Sequence, residues 1–205
     1  MSARCLLAAG VTLWLSTTAV AQTTAPATTP EPLATLPPYM RVLLPWGQRV
    51  EWEKDSRHLI VMEKAFGDAW RLDIDTGRLE PLTTHFFHEG FDRAHQLANG
   101  DYLLTGPGDF DAREPWKDRH RLRMYVLDKS LTRPAVPLGE FIDEGPATSL
   151  HTMHLAWTTP GQREMYIADI VYTDGEPSLA NKRLLLSYAD KPQTMRLETQ
   201  DFRLP

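Results

Sequence analysis

The sequence predicts an all-β protein, a β-propeller of about three four-stranded antiparallel blades that form a partial or open ring. A short pattern of strand, tight polar turn and strand occurs three times, around residues 50–62, 94–104 and 154–168. Repeats of this spacing with several short strands each are typical of propeller blades. Helical periodicity is nearly absent downstream of the N-terminal segments, which argues against crossover helices and a parallel sheet. The blades are predicted at residues 49–83, 93–138 and 153–198.

The first blade shows the plan most clearly. Residues 69–74 alternate apolar and charged side chains with period two, as a half-buried strand does. The following Asp75-Thr76-Gly77 predicts a turn. The four strands are predicted at residues 49–53, 58–64, 69–74 and 79–83.

The second and third blades repeat this plan. Asn99-Gly100 is a strong hairpin signal between strands at 93–97 and 102–105, and a polar insertion at 108–121 precedes a strand at 122–127. In the third blade, Thr159-Pro160-Gly161 predicts the first turn. Its strands are predicted at residues 153–158, 164–172, 182–188 and 194–197.

The N-terminal segments resemble an export signal and a linker. Residues 1–21 combine Arg4, a short apolar run and a small-residue cleavage site, which predicts a signal peptide and a periplasmic or secreted protein with no permanent membrane span. Residues 22–38 are rich in Thr, Ala and Pro, which predicts a disordered linker. The partial propeller is therefore expected at residues 39–205.

Composition excludes several classes of function. The net charge is −5 with acids and bases interspersed, so no basic surface for nucleic acid is expected. The single cysteine, Cys5, lies in the predicted signal peptide, which excludes disulfides and thiol chemistry in the mature chain. No Gly-x-Ser-x-Gly nucleophile motif and no phosphate-binding glycine loop are present.

One stretch resembles a known family of repeats. Asp55-Ser56-Arg57-His58-Leu59-Ile60-Val61, then Asp68 to Arg78 and Leu82-Thr83, is similar to the repeat of TolB-like propellers, also called WD40-like or PD40 repeats. The resemblance implies periplasmic binding partners, peptidase propellers or lyases as relatives. It also implies six or more blades, so three blades indicate a piece of a longer protein, or self-association through open blade edges that completes the ring.

Histidines are the candidate metal ligands. Inner strands of a propeller line its channel, so histidines at equivalent ends of neighbouring blades are expected to converge there and to bind Zn or Mn, with Glu89 or Glu144 nearby. Oligogalacturonate lyases, which resemble the predicted fold, use channel histidines in this way. The alternative is that these histidines hydrogen-bond loop carbonyls and hold the blades together. The predicted metal ligands are His88, His95, His151 and His154.

Tryptophans supply the candidate binding surface. Trp116 in the insertion and Trp46 before the first blade are predicted to stack on a sugar or a hydrophobic partner. Trp52 and Trp157 occupy repeat positions and are predicted to lie in the blade cores.

These observations predict a binding or scaffolding module that engages a protein or a glycan at one propeller face. Such a module needs no cofactor. The alternative is an enzyme, a metal-assisted polysaccharide lyase or hydrolase that uses the channel histidines with Zn or Mn.

Overall fold

The chain divides into two compact units, Met1–Val42 and Leu43–Pro205, and the computed structural model describes residues 36–187. In the described part of the first unit, the Met40 N–H donates to the Pro37 carbonyl over 2.8 Å and closes a turn. The predicted signal peptide, most of the linker and the predicted strand at 194–197 lie outside the described residues.

The second unit consists of three four-stranded antiparallel sheets that follow one another along the chain. This confirms the predicted fold class, an all-β partial propeller of about three blades. In all three sheets the strands lie side by side in sequence order, as a simple meander requires.

In the first sheet, every strand end lies within two residues of its predicted position. Asp73 Oδ1 accepts the N–H groups of Asp75 and Thr76 over 2.9 and 2.8 Å, which closes the predicted turn. Gly77 then takes a φ of +72°, a value that favours glycine. The four strands are β1 (Gln48–Trp52), β2 (His58–Met62), β3 (Ala69–Asp73) and β4 (Leu79–Pro81).

The second sheet contains the predicted Asn99-Gly100 turn, where Gly100 has a φ of +95°. Its last strand extends beyond residue 138, where the blade was predicted to end, because the ladder continues past Gly139 at a φ of +80°. The strands are β5 (Arg93–Gln96), β6 (Tyr102–Gly106), β7 (Leu122–Leu127) and β8 (Val136–Ile142).

The insertion between β6 and β7 forms a short helix, α1 (Pro115–Arg119), which the sequence pattern did not predict. Among residues 36–187, no helix combines the length and apolar character needed to cross a membrane.

The third sheet corrects one prediction. A two-residue strand pairs with the strand that was predicted to be innermost, so His154 lies in the second strand of its sheet. The strand predicted at 182–188 begins earlier, at Glu176. The strands are β9 (Ala147–Thr148), β10 (His154–Thr158), β11 (Glu164–Thr173) and β12 (Glu176–Ser187).

The hydrophobic core lies between neighbouring sheets. We call the packing of the first sheet on the second the first interface, and that of the second on the third the second interface. The first interface contains Ile60, Met62, Ala69, Leu82, Phe91, Ala94, Tyr102, Leu104 and Leu127. The second interface contains Leu97, Leu103, Leu122, Met124, Val126, Leu138, Ile142, Leu155, Trp157, Ala168 and Ile170.

The two tryptophans predicted to lie in blade cores differ in burial. Trp157 is 2% exposed in the second interface, as predicted, whereas Trp52 is 59% exposed. Trp52 pairs with Leu59, so its side chain lies on the face of the first sheet that is turned away from the second sheet. The prediction for Trp52 is wrong because no neighbouring sheet covers that face among the described residues.

Candidate functional site

His88 is held by two hydrogen bonds. The Gly90 N–H donates to His88 Nδ1 over 2.9 Å, so Nδ1 carries no proton, and Nε2 lies 3.1 Å from Asp68 Oδ1 as the donor. Its ring packs against Phe91 with centroids 4.5 Å apart. Because both ring nitrogens are occupied, His88 has no free lone pair for a metal.

His95 connects the first strands of two sheets. Its Nδ1 lies 3.3 Å from Glu51 Oε1, on β1, while Nε2 is buried without a hydrogen-bond partner among the described residues. Burial lowers the pKa of His95, although Glu51 opposes this effect. The His95 ring therefore lies between β1 and β5.

The other two histidines belong to the third sheet. His154 is 68% exposed, and its Nδ1 pairs with Asp169 on the neighbouring strand. Asn181 Nδ2 donates to the same carboxylate over 2.7 Å. His151 is exposed in the loop before β10, where its backbone N–H donates to Ser149 Oγ.

The structure does not bring the four predicted ligands into one group. Within residues 36–187, the only three ligand-type residues whose donor atoms lie within 4.8 Å of one another are Glu53, Asp55 and His58. A Zn or Mn site on His88, His95, His151 and His154 therefore stays a prediction without an assembled donor set.

The Glu53, Asp55 and His58 group already contains a cation, Arg71. Its Nε donates to both Glu53 oxygens over 3.0 and 3.1 Å, and a terminal nitrogen lies 3.7 Å from Asp55. Glu53 also accepts the Tyr102 hydroxyl over 2.9 Å. Since Arg71 neutralises these carboxylates, the arrangement is a structural ion-pair network.

The two tryptophans that were predicted to bind a sugar or a hydrophobic partner lie on different segments of the chain. Trp116 is 66% exposed on α1. Trp46 is partly exposed and packs edge-on against Trp70, with centroids 6.1 Å apart.

A concave surface lined by aromatic side chains lies among three loops, β4–β5, β6–β7 and β7–β8. We call it the aromatic cleft; its volume is about 310 Å³. This volume lies at the lower end of the range found for small-molecule binding sites. Its lining includes four aromatic side chains, two prolines, His88 and two carboxylates: Phe86, Phe87, Phe91, Tyr125, Pro107, Pro134, His88, Glu89 and Asp109.

Close backbone contact builds the floor of the cleft. Gly90 has a φ of +90°, and a Cβ at this position would lie 2.2 Å from the Phe66 carbonyl oxygen. A Cβ on Gly106 would lie 2.5 Å from the Gly90 carbonyl oxygen. Gly67 and Phe91 exchange two backbone hydrogen bonds of 3.2 and 2.8 Å. Only glycine permits this approach, so the loops are fixed in position.

The chemistry of the cleft suits binding. The Tyr125 hydroxyl donates to the Pro107 carbonyl over 3.1 Å, and burial raises the pKa of Tyr125. Phe87 is 90% exposed at the rim. The lining offers aromatic ring faces and carboxylate acceptors, while both ring nitrogens of His88 are already hydrogen-bonded within the chain.

The sequence interpretation missed this site because Phe86 and Phe87 fall in a connection without strand periodicity. The adjacent phenylalanines between two predicted blades were the available signal. Neither a protein-family model nor a curated protein matches this chain.

Proposed function

We propose that the chain is an exported binding module of the TolB-like propeller type, periplasmic or secreted, that holds a protein or glycan partner in the aromatic cleft. The observation that carries the proposal is Phe87, 90% exposed at the rim of a cleft of about 310 Å³. An exposed aromatic ring beside a rigid apolar cleft is typical of a recognition surface.

Of the two partner classes, the lining favours a glycan. A sugar ring has an apolar C–H face and polar edges with hydroxyl groups. Phe86 and Phe87 offer ring faces on which the C–H face of a sugar can stack. Glu89 and Asp109 offer carboxylate oxygens that can accept hydrogen bonds from its hydroxyl groups. The cleft needs no cofactor for this role.

The enzymatic alternative, a metal-assisted lyase or hydrolase, has less support. It requires several imidazoles around one metal, and His88 has both ring nitrogens hydrogen-bonded. His154 lies in a different sheet and pairs with Asp169. Binding without chemistry is therefore the function that we propose.

The test compares two exposed aromatic residues. The chain from Gln22 is screened against neutral and acidic oligosaccharides, and the best binder is measured by isothermal titration calorimetry. Phe87→Ala is expected to weaken binding about tenfold, because truncation of an aromatic side chain that anchors a partner typically costs more than about 1 kcal/mol. Trp116→Ala, on α1 and outside the cleft lining, is the matched control and is expected to bind as wild type.

Two results would contradict the proposal. One is equal affinity of wild type and Phe87→Ala for the selected oligosaccharide. The other is a loss of binding in Trp116→Ala alone, which would assign recognition to the insertion. Both variants change exposed residues, so thermal unfolding should show wild-type stability.

A further inference from the structure

Two arginine side chains lie next to each other at the start of β7. Arg121 immediately precedes the strand, and Arg123 lies on it two residues later. Phe141, on β8, is paired with Arg123 across the sheet. The guanidinium carbons of Arg121 and Arg123 lie 4.4 and 4.8 Å from the centre of the Phe141 ring. One aromatic ring therefore holds two positive charges together.

The backbone of the insertion also contacts the Arg123 guanidinium. A Cβ on Gly108 would lie 2.6 Å from Arg123 Nε and 2.8 Å from Cζ, so the glycine lies directly against this group. Arg123 Nε is buried and has no hydrogen-bond partner within residues 36–187. Packing against Gly108 and Phe141, and not hydrogen bonding, therefore sets the orientation of the Arg123 guanidinium.

In the part of the chain that the structure describes, neither Arg121 nor Arg123 forms an ion pair with a carboxylate. Arg49 and Arg71 differ in this respect, because each binds a carboxylate that is at most 3% exposed. Two guanidinium groups on one ring repel each other, and an anion bound by both would relieve this repulsion. The pair thus has the charge and the free donors of an anion site.

A pocket of about 150 Å³ opens at the two arginines, and we call it the arginine pocket. It is smaller than an ordinary small-molecule site, so it fits one group of a larger ligand. Gly108 and Asp109 line both this pocket and the aromatic cleft, so the two are neighbours and one ligand can occupy both. The lining of the arginine pocket consists of Gly108, Asp109, Asp118, Arg121, Arg123 and Phe141.

The two aspartates of the arginine pocket restrict the kind of anion. Asp118 Oδ2 accepts the Asp111 N–H over 3.0 Å, and Asp109 is exposed where the pocket meets the cleft. A phosphate group carries up to two negative charges and is repelled by these aspartates more than a single charge is. A planar carboxylate also matches the guanidinium fork, and the aspartate oxygens accept hydrogen bonds from hydroxyl groups. The pocket therefore suits a carboxylate with hydroxyl groups beside it.

We propose that the arginine pocket binds the carboxylate of a uronic acid, so that the partner in the aromatic cleft is an acidic glycan. Arg121 and Arg123 bind the carboxylate, and Asp109 accepts a neighbouring hydroxyl group. The next sugar stacks on Phe86 and Phe87. This inference rests on the proposed function, because the cleft has to hold the glycan for its carboxylate to reach the pocket.

Isothermal titration calorimetry with the chain from Gln22 tests this with two matched probes. The first is a linear trimer of glucuronate, and the second is its methyl ester, which has the same size and linkage but no charge. The acid is expected to bind about tenfold more tightly than the ester, because charge-assisted hydrogen bonds form only with the carboxylate. This advantage should decrease as salt is added, because the arginine pocket is partly open to solvent.

Three variants locate the carboxylate site. Arg121→Gln is expected to remove the advantage of the acid and to leave the affinity for the ester unchanged. Arg123→Lys keeps the charge but loses the guanidinium fork, so a smaller loss is expected. Arg113→Gln is the matched control, since Arg113 is an exposed arginine of the same insertion outside the pocket lining, and it should bind as wild type. Arg121 is exposed, so thermal unfolding of Arg121→Gln should show wild-type stability.

Three results would overturn the inference. The first is equal affinity for acid and ester, including no binding of either. The second is an equal loss in Arg121→Gln and Arg113→Gln, which would indicate a general effect of charge. The third is tighter, Arg121-dependent binding of triglutamate, which would assign the pocket to an acidic peptide.

Phe87→Ala separates this inference from the proposed function. Binding of acid and ester alike that is lost in Phe87→Ala would support the aromatic cleft and reject the arginine pocket. Binding of the acid that requires Arg121 but is unchanged in Phe87→Ala would support the pocket as an anion site and reject the cleft as the place where the glycan is held.

Discussion

The first and second interfaces differ in the balance between apolar packing and buried ion pairs. The first contains a buried carboxylate, Glu53, that accepts hydrogen bonds from Tyr102 and Arg71. A second ion pair, Arg49 with the buried Asp92, crosses the same interface, where burial raises the pKa of Asp92 against the effect of Arg49. The first interface thus combines apolar packing with desolvated charges.

The second interface has a larger apolar cluster, although it also contains polar contacts: the buried Asp143 accepts the Gly161 N–H over 3.1 Å, and Lys182 pairs with Glu140 over 2.5 Å. Trp157 packs against Tyr166 with ring centroids 5.9 Å apart, and Lys182 lies 4.4 Å from the Tyr166 ring centre. At one end, the Tyr172 hydroxyl donates to Asp101 Oδ2 over 2.5 Å. Because its apolar cluster contains eleven buried residues against nine in the first interface, we expect buried apolar area to contribute more to the stability of the second interface.

This difference predicts that different substitutions and conditions destabilise the two interfaces. A polar interface fails when one partner of a buried pair is removed or when pH changes its protonation. An apolar interface fails when side-chain volume is removed.

The largest effect is expected from Trp157→Ala. Removal of a buried indole leaves a cavity and should lower the free energy of unfolding by about 3–5 kcal/mol. Urea unfolding measures it, with Trp116→Ala as the exposed control, expected to change by less than about 0.5 kcal/mol. A loss below about 1 kcal/mol in Trp157→Ala would show that the second interface does not depend on this packing.

Glu53→Gln should cost less, about 2 kcal/mol, because Arg71 loses its buried counter-charge while Tyr102 keeps an acceptor. Glu80→Gln is the matched control, since Glu80 also binds Arg71, over 3.3 Å, but is more exposed. Equal stability changes in both variants, measured by urea unfolding, would argue against a special role for the buried carboxylate.

Alkaline pH should weaken the first interface. Burial, together with Glu53, raises the pKa of Tyr102 above the usual value of 10.0. The folded state keeps this proton where the unfolded state loses it, so stability is full below pH 10 and falls above it, by up to about 1.4 kcal/mol per pH unit. Tyr102→Phe should show a shallower decline between about pH 9 and 11 in urea unfolding. An unchanged decline would rule out this group as its source.

The smallest effect is expected at the Asp55 turn. Partial burial opposes ionisation, but hydrogen bonds from Arg57 and His58 lower the pKa of Asp55 to about 2. This lowered pKa stabilises the fold above pH 3.8, and the contribution is lost as pH falls toward 2. Asp55→Asn should cost less than about 1 kcal/mol at neutral pH, because Asp55 is partly exposed. The stability of Asp55→Asn should also vary less than that of wild type between pH 3.8 and about 2. Identical acid unfolding curves for the two proteins would contradict a stabilising role for the Asp55 carboxylate.

Local patterns predicted the hairpins, but they did not predict which faces would be covered. Asn99-Gly100 and the alternation in 69–74 specify a turn and a strand through their own chemistry. Trp52 and Trp157 have similar local contexts, yet one is exposed and the other buried, because only Trp157 faces a neighbouring sheet. Exposure at these positions depends on contacts that are distant in sequence.

The local sequence was not sufficient to predict two further features of the structure. The strand Ala147–Thr148 has two residues, which is too short for any periodicity, and its pairing moved His154 to the second position in the sheet. The aromatic cleft depends on two loops brought together at Gly90 and Gly106. Both features arise from tertiary contacts, which periodicity in one segment does not encode.

The most direct test of the comparison is hydrogen exchange with mass spectrometry on Trp157→Ala. If the second interface is held by apolar packing and the first by its own polar network, protection should fall in the third sheet, in His154–Thr158 and Glu164–Thr173, while His58–Met62 stays protected. An equal loss of protection in all three sheets would contradict this expectation, because it would mean that the two interfaces do not unfold separately.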